Sequence, residues 1–155
     1  INFKLIYEVA NKLKNINFVL IGPVDDNINK NNLKKLKTLE NIYFLGYRKY
    51  KYLPNYFSYF DVGWLPLIHN KYTKSMFPMK FFEYLAAGLP IVSTNIDSLY
   101  EYKNSIEMHD DITKHSNSII ESLIDTKRNL KNRLNLAKEN TYKKRTIKML
   151  NELNN

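Results

Sequence analysis

The sequence contains no cysteine, so it offers neither a disulfide framework nor a thiolate metal site. Its three histidines, His69, His109 and His115, are scattered and lack metal-ligand spacing. Neither a Walker loop nor a Gly-x-Gly-x-x-Gly turn occurs. No apolar run approaches the roughly 20 residues that a spanning helix needs. The longest, Phe18 to Ile21, is strand-sized. No signal peptide is visible, and Ile1 opens inside a helix-like pattern, so the chain reads as a fragment of a longer protein. Acidic residues are also outnumbered, 15 against 24 Lys and Arg, for a net charge of +9. A Lys- and Asn-rich compositional habit accounts for part of this excess. Attraction to anionic lipid, nucleotide phosphate or nucleic acid would account for the rest.

What is present suits one globular domain. The 155 residues are 44% hydrophobic and 25% charged, enough for a sizeable core. Phe3, Ile6, Tyr7, Ala10 and Leu13 share one helical face. Asn17 to Ile21 reads as a strand stopped by Gly22-Pro23, and Asp25 to Asn32 as a polar loop. Leu33, Leu36 and Leu39 suggest a short helix, and Ile42 to Leu45 a second strand ended by Gly46. Tyr52 to Tyr59 suggests a brief amphipathic helix, Val62 to Leu65 a third strand, and Leu67 to Ser75 a loop. A helix from Pro78 to Ala87 stops at Gly88. Ile91-Val92 and Ile106 to Met108 give two more strands, and the chain is helical from Ile112 onward. Short apolar strands alternating with helices predict an α/β fold, a Rossmann-like parallel sheet with helices on both faces and a helical C-terminal tail. Ligands of such sheets bind at the C-terminal strand ends. That rule selects Gly22-Pro23, Gly46-Tyr47, the stretch from Pro66 to Pro78, and the loop after Val92.

The most informative stretch is Phe77-Pro78-Met79-Lys80-Phe81-Phe82-Glu83-Tyr84-Leu85-Ala86-Ala87-Gly88-Leu89-Pro90-Ile91-Val92-Ser93. Free N–H groups near Met79 and Lys80 can face a phosphate at a helix start, and Lys80 adds a full charge. Glu83, three residues on, lies on roughly the same face and can accept hydrogen bonds from both hydroxyls of a ribose. Together the two side chains would grip a nucleoside diphosphate. The same spacing also describes a surface ion pair on a helix that packs through Phe81, Tyr84 and Leu85.

This stretch resembles the donor-site signature of glycosyltransferases with two facing Rossmann-like domains, the GT-B fold. It is closest to the large retaining family called GT4 or glycosyltransferase group 1. The family pattern is Pro-x-Lys, then Glu-Tyr/Ala-Leu/Met-Ala-Ala-Gly-x-Pro-Val-Val. Here it reads Pro78-Met79-Lys80, then Glu83-Tyr84-Leu85-Ala86-Ala87-Gly88-Leu89-Pro90-Ile91-Val92. The resemblance extends back through Phe18 to Pro23, Ile42 to Tyr47 and Phe60 to Leu67. It implies one half of a GT-B fold: residues 1–155 as a single donor-binding domain whose first strand and acceptor domain precede Ile1. It further implies that Glu83 binds ribose hydroxyls, with Pro78, Met79 and Lys80 at the phosphate end of the same helix. Gly46, Tyr47 and Arg48 would lie beside the nucleobase, and Gly22 and Pro23 would line the cleft. No catalytic residue is assigned within this fragment.

One position departs from the family. Members often carry two acidic residues separated by seven others, and here the first of these positions is Ser75. A hydroxyl can hydrogen-bond a sugar but cannot stabilise positive charge as a carboxylate does. Asp25-Asp26 and Asp110-Asp111 read as solvated turns or helix caps, not as a metal site. The Tyr- and Lys-rich run from Tyr43 to Tyr59 reads as a half-buried surface or, less simply, as a nucleic-acid platform. The expectation is therefore an enzyme transferring a sugar from a nucleotide diphosphate donor, without a metal cofactor, for cell-surface glycan synthesis. Its expected place is the cytoplasm or the inner face of an anionic membrane, through clusters such as Lys34-Lys35-Lys37, Arg48-Lys49-Lys51 and Lys143-Lys144-Arg145. The alternatives are a non-catalytic nucleotide-sugar-binding domain and a basic RNA-binding protein.

Overall fold

The computed structural model describes residues 1–24, 30–124 and 127–153. Asp25-Asp26 and most of the expected loop from Asp25 to Asn32 lie outside the described residues. Helix α1 (Phe3–Lys12) starts where the Asn2 side chain accepts the Leu5 N–H, satisfying one donor that a helix start leaves free. Strand β1 (Phe18–Ile21) follows, then α2 (Lys30–Leu36) and β2 (Ile42–Gly46). The 3₁₀ turn Tyr50–Tyr52 leads into α3 (Leu53–Phe57), with Pro54 in its first turn. After β3 (Gly63–Leu65) the expected loop contains a helix, α4 (Lys71–Ser75). Its cause is a capping box: Asn70 accepts from Thr73 N, and Thr73 Oγ1 accepts from Asn70 N.

The next helix, α5, is shorter than the apolar spacing suggests, running Lys80–Ala86. Its end is a Schellman motif: Leu89 N donates to Tyr84 O and Gly88 N to Leu85 O. Gly88 takes φ 78° there, a conformation that side-chain-bearing residues rarely adopt. Strand β4 (Ile91–Ser93), a 3₁₀ segment Asp97–Tyr102 and β5 (Glu107–Met108) complete the sheet region. The helical tail comprises α6 (Ile112–Ile124), α7 (Leu130–Glu139) and α8 (Tyr142–Leu153).

Strand alternation sends neighbouring side chains to opposite faces, and two cores result. Val92, with Phe18, Ile42 and the half-buried Trp64, faces α1 and Ile119 of α6. Leu65 and Ile91 face Phe81, Phe82 and Leu85 of α5 together with Leu99. Helices therefore cover both faces. Arg133 of α7, itself buried, donates from Nε to Gly88 O at 2.9 Å and ties the tail to the α5 cap. The tail's last helix is different: Ile147, Leu150 and Leu153 of α8 are exposed.

All pairing among the described residues is parallel, but it forms two ladders, β2–β1 and β3–β4–β5, in place of one continuous sheet. The inner edges of β1 and β3 do not pair with each other. They still share a core, with the Phe18 and Trp64 rings 5.2 Å apart. Asn2 N donates to Pro66 O just beyond β3, so the backbone entering α1 passes the C-terminal end of that strand.

Candidate functional site

The C-terminal strand ends gather most of the residues singled out above. Gly22 N donates to Gly46 O at 3.0 Å, which puts the turns after β1 and β2 side by side. Pro23 and Tyr47 are exposed there. Arg48 turns inward: Nε donates to Tyr56 Oη at 2.7 Å, and Nη1 donates to Tyr47 O. The Tyr- and Lys-rich run is therefore not a uniform basic face, because Arg48 is occupied by its own segment.

Lys80 and Glu83 form an ion pair at the centre of the candidate site. Lys80 Nζ lies 2.5 Å from Glu83 Oε2, and the carboxylate side chain is only 17% exposed. The packing beneath them explains this placement. Tyr84 meets Phe57 edge-on at 5.3 Å and packs with Leu53 and Leu89. A Cβ on Gly63 would lie 2.5 Å from the Tyr84 ring, so only glycine in β3 lets α5 approach this closely. Burial, helped by the nearby Glu83, raises the Tyr84 phenol to about 12. Tyr84 therefore stays neutral beneath the pair.

The remaining expected residues are more spread out. Pro78 is buried, and its carbonyl accepts the Phe81 N–H. Met79 is exposed at the start of α5. A seven-residue helix has a short dipole, so the Lys80 charge dominates at this end. Ser75 ends α4 and is exposed. Beside Glu83 a cleft of about 220 Å³ is lined by Met79, Phe82, Ala86, Tyr142 and Arg145, among others. A larger cavity of about 320 Å³ involves Pro90, Ile91 and Ser105. It opens where β4 and β5 begin, at the opposite edge from the one where parallel sheets bind ligands.

Three features were not legible in the spacing. Tyr50 reaches Glu83, its hydroxyl 3.4 Å from Oε1. Arg145 of α8 lies over the rings of Phe77 and Phe82, at 4.7 and 4.9 Å, and braces α5 from the tail. Asp110 gathers three loops: it accepts from His69 Nε2 at 2.8 Å, from Asn95 N at 3.1 Å and from Asn95 Nδ2 at 2.7 Å. Burial pushes the Asp110 carboxyl upward, but these hydrogen bonds outweigh it and leave its pKa lowered. Asp111, by contrast, does cap α6, accepting from Lys114 N. Among the described residues no three His, Asp or Glu side chains cluster as metal ligands, and no helix is long and apolar enough to cross a membrane.

Comparison of the sequence with known proteins identifies a family. Residues 2–125 match the family model described as Glycosyl transferases group 1. A Bacillus subtilis (strain 168) protein, named as a candidate teichuronic acid biosynthesis glycosyltransferase (TuaH), is 34% identical over 110 residues. That alignment covers 66% of this chain and 28% of the relative, so the chain spans little more than a quarter of it. The family match covers both ladders, α5 and the Lys80–Glu83 pair, and on that evidence the chain belongs to the group 1 glycosyl transferases.

Proposed function

We propose that this chain is the donor-binding half of a GT-B glycosyltransferase and that it holds a nucleotide diphosphate sugar at the Lys80–Glu83 pair. The observation that carries the reading is the pair itself: a cation and a half-buried carboxylate 2.5 Å apart, inside the family match. Glu83 accepts the ribose hydroxyls, Lys80 neutralises the diphosphate, and Gly22, Pro23, Gly46 and Tyr47 border the cleft. Ser75 faces the sugar end. Charge and positioning on the leaving diphosphate are what such a half contributes to transfer. The resemblance favours retention of anomeric configuration.

Among the described residues nothing pairs with the facing edges of β1 and β3, which supports a further parallel strand between them, leading up to Asn2. A strand, α1 and β1 in that order would form a strand–helix–strand crossover of the kind that joins neighbouring parallel strands. In this reading such a strand completes the donor-binding half, and a second domain supplies the acceptor-binding half. The name of the Bacillus relative supports assembly of a cell-surface glycan. The +9 charge supports work at an anionic inner membrane face. Of the basic clusters, Arg48 and Arg145 are engaged within the fold, so Lys34, Lys35, Lys49 and Lys143 are better placed to meet lipid.

The test is calorimetric titration of the full-length protein with UDP-, GDP- and ADP-sugars, wild type against Glu83→Ala. A charged hydrogen-bonding group contributes about 1.5–3 kcal/mol, so the tightest donor should weaken about 10- to 150-fold. Equal affinities in two folded proteins would reduce Glu83 to a surface helix residue.

A further inference from the structure

We infer that Tyr50 is a positioning residue of the donor site: its ring keeps the Lys80 ammonium in place as Lys80 passes from Glu83 to a bound diphosphate. The inference rests on the donor reading above and adds a third member to the pair. Lys80 Nζ lies 5.6 Å from the Tyr50 ring centroid and 5.9 Å from that of Phe57. The ammonium is thus held by two aromatic faces and one carboxylate oxygen. The other oxygen of Glu83 faces the Tyr50 hydroxyl at 3.4 Å.

The segment's construction separates this contact from folding. Leu53 and Phe57 are buried and hold α3 against Leu89 and Tyr84. Tyr50, one turn earlier, is 63% exposed. A side chain with so little buried area contributes little to the core, yet it is directed at the one ion pair that the donor reading uses. Burial and the nearby Glu83 both raise the Tyr50 phenol, so it remains a neutral hydroxyl that can donate to the carboxylate.

Lysine carries a long flexible stem, and ordering it costs affinity at the moment of binding. A ring face that attracts the cation reduces that cost before the ligand arrives. When ribose hydroxyls occupy Glu83, the ammonium turns to the diphosphate oxygens while staying over the ring. The ring therefore acts through Lys80, and the hydroxyl is secondary.

The experiment uses the full-length protein as wild type, Tyr50→Phe, Tyr50→Leu, Lys80→Met and the Tyr50→Leu/Lys80→Met double variant. UDP, GDP and ADP are titrated into wild type, and the tightest is carried through the set. Tyr50→Leu is expected to weaken binding about two- to fivefold, the scale of an exposed cation–π contact. Tyr50→Phe, which keeps the ring, should stay within about twofold of wild type on the same scale. On the Lys80→Met background the Leu substitution should cost nothing further, because the coupling runs through Lys80. An equal loss on both backgrounds, an unaffected Tyr50→Leu, or a Phe variant as weak as Leu would overturn the inference. If wild type binds none of the three nucleotides, the donor reading fails. Amine acetylation of Lys80, read by mass spectrometry, then separates that failure from the Tyr50–Lys80 contact itself. Faster labelling in Tyr50→Leu than in wild type and Tyr50→Phe supports the ring contact, and equal rates overturn it.

Discussion

Two polar clusters lie at the same edge of this molecule, and they are built in opposite ways. Lys80 and Glu83 sit three residues apart on one helix, with Tyr84, Phe57, Leu53 and Leu89 packed below. His69, Asp110 and Asn95 come from three different loops, 41 and 15 residues apart in sequence. The Glu83 side chain is 17% exposed, whereas His69 and Asp110 are 56% and 47% exposed. The first cluster inherits its geometry from a core. The second joins exposed side chains by hydrogen bonds, in water that screens them. Shape at the first is therefore sensitive to distant packing, and shape at the second only to its members.

The strongest way to break that contrast is to disturb the packing without touching a polar group. Gly63→Ala places a methyl 2.5 Å from Tyr84 Cδ2 and 2.9 Å from its Cβ, closer than real side chains approach. Helix α5 must shift to make room. Overpacking of this kind costs about 1–3 kcal/mol, visible as a lower urea midpoint with an unchanged slope. Nucleotide binding at Lys80–Glu83 should weaken as well, while amide exchange around Asn95 and Asp110 stays as in wild type. An unchanged midpoint would mean that α5 does not depend on the glycine. Equal disturbance of both clusters would erase the distinction between them.

The same contrast explains how much could be read from sequence. Periodicity revealed α1, β1, β2, β3, β4 and the helical tail, because each buries a face and burial leaves a spacing. The Lys80–Glu83 pair was legible for the same reason, being local to one turn. Helix α4 was missed because it has one buried residue, Thr73, and is specified by the Asn70 cap instead of an apolar stripe. Residues Asp97–Tyr102, for which the spacing suggested no element, form a 3₁₀ segment whose buried residue is Leu99. Asp110 read as a solvated acid because nothing local to it announces His69 or Asn95. Tyr50 was one tyrosine among several, and its distinction depends on how α3 docks. The split between β1 and β3 could not be read from strand composition, since both are apolar whether or not they are paired.

A second test turns on a histidine that belongs to the core. His115 is fully buried. Trp64 Nε1 donates to its Nε2 at 2.6 Å, and its Nδ1 lies 2.9 Å from His109 O. An indole N–H can only donate, so Nε2 must accept and the proton resides on Nδ1. A second proton on Nε2 would face the indole N–H. Burial lowers the His115 pKa and outweighs the hydrogen bond to His109 O and the nearby Asp110 carboxylate, which raise it. The unfolded chain thus takes up a proton near the ordinary imidazole value of about 6.5, while the folded chain resists. Stability should fall as pH drops below that value and rise again toward neutrality. His115→Gln should be less stable than wild type at pH 7.5 but show a shallower loss between pH 7.5 and 5.5. Parallel slopes for the two proteins would remove His115 as the source.

The smallest effect is expected at Asp110, and it sharpens the comparison from the exposed side. Asp110→Asn removes the charge that His69 and Asn95 share but keeps a carbonyl acceptor. Exposed charge pairs contribute about 0–1 kcal/mol, so the melting temperature at pH 7 should fall only slightly. The segment from Pro66 through α4 should keep most of its protection. Thr94 Oγ1 still donates to Leu67 O, and Ser98 Oγ to Met76 O. The sign with pH is fixed by the lowered carboxyl. A carboxylate favoured by folding contributes its stabilisation above the ordinary aspartate value of about 3.9, and loses it as pH falls through the folded value. The gap between wild type and Asp110→Asn should therefore be present at pH 7 and 5 and close below about pH 4. Thermal melts across that range measure it, and raised salt should narrow the gap at every pH where it exists. A gap as large as that of Gly63→Ala, or one indifferent to salt, would show that three loops can hold a polar cluster as firmly as a packed helix does.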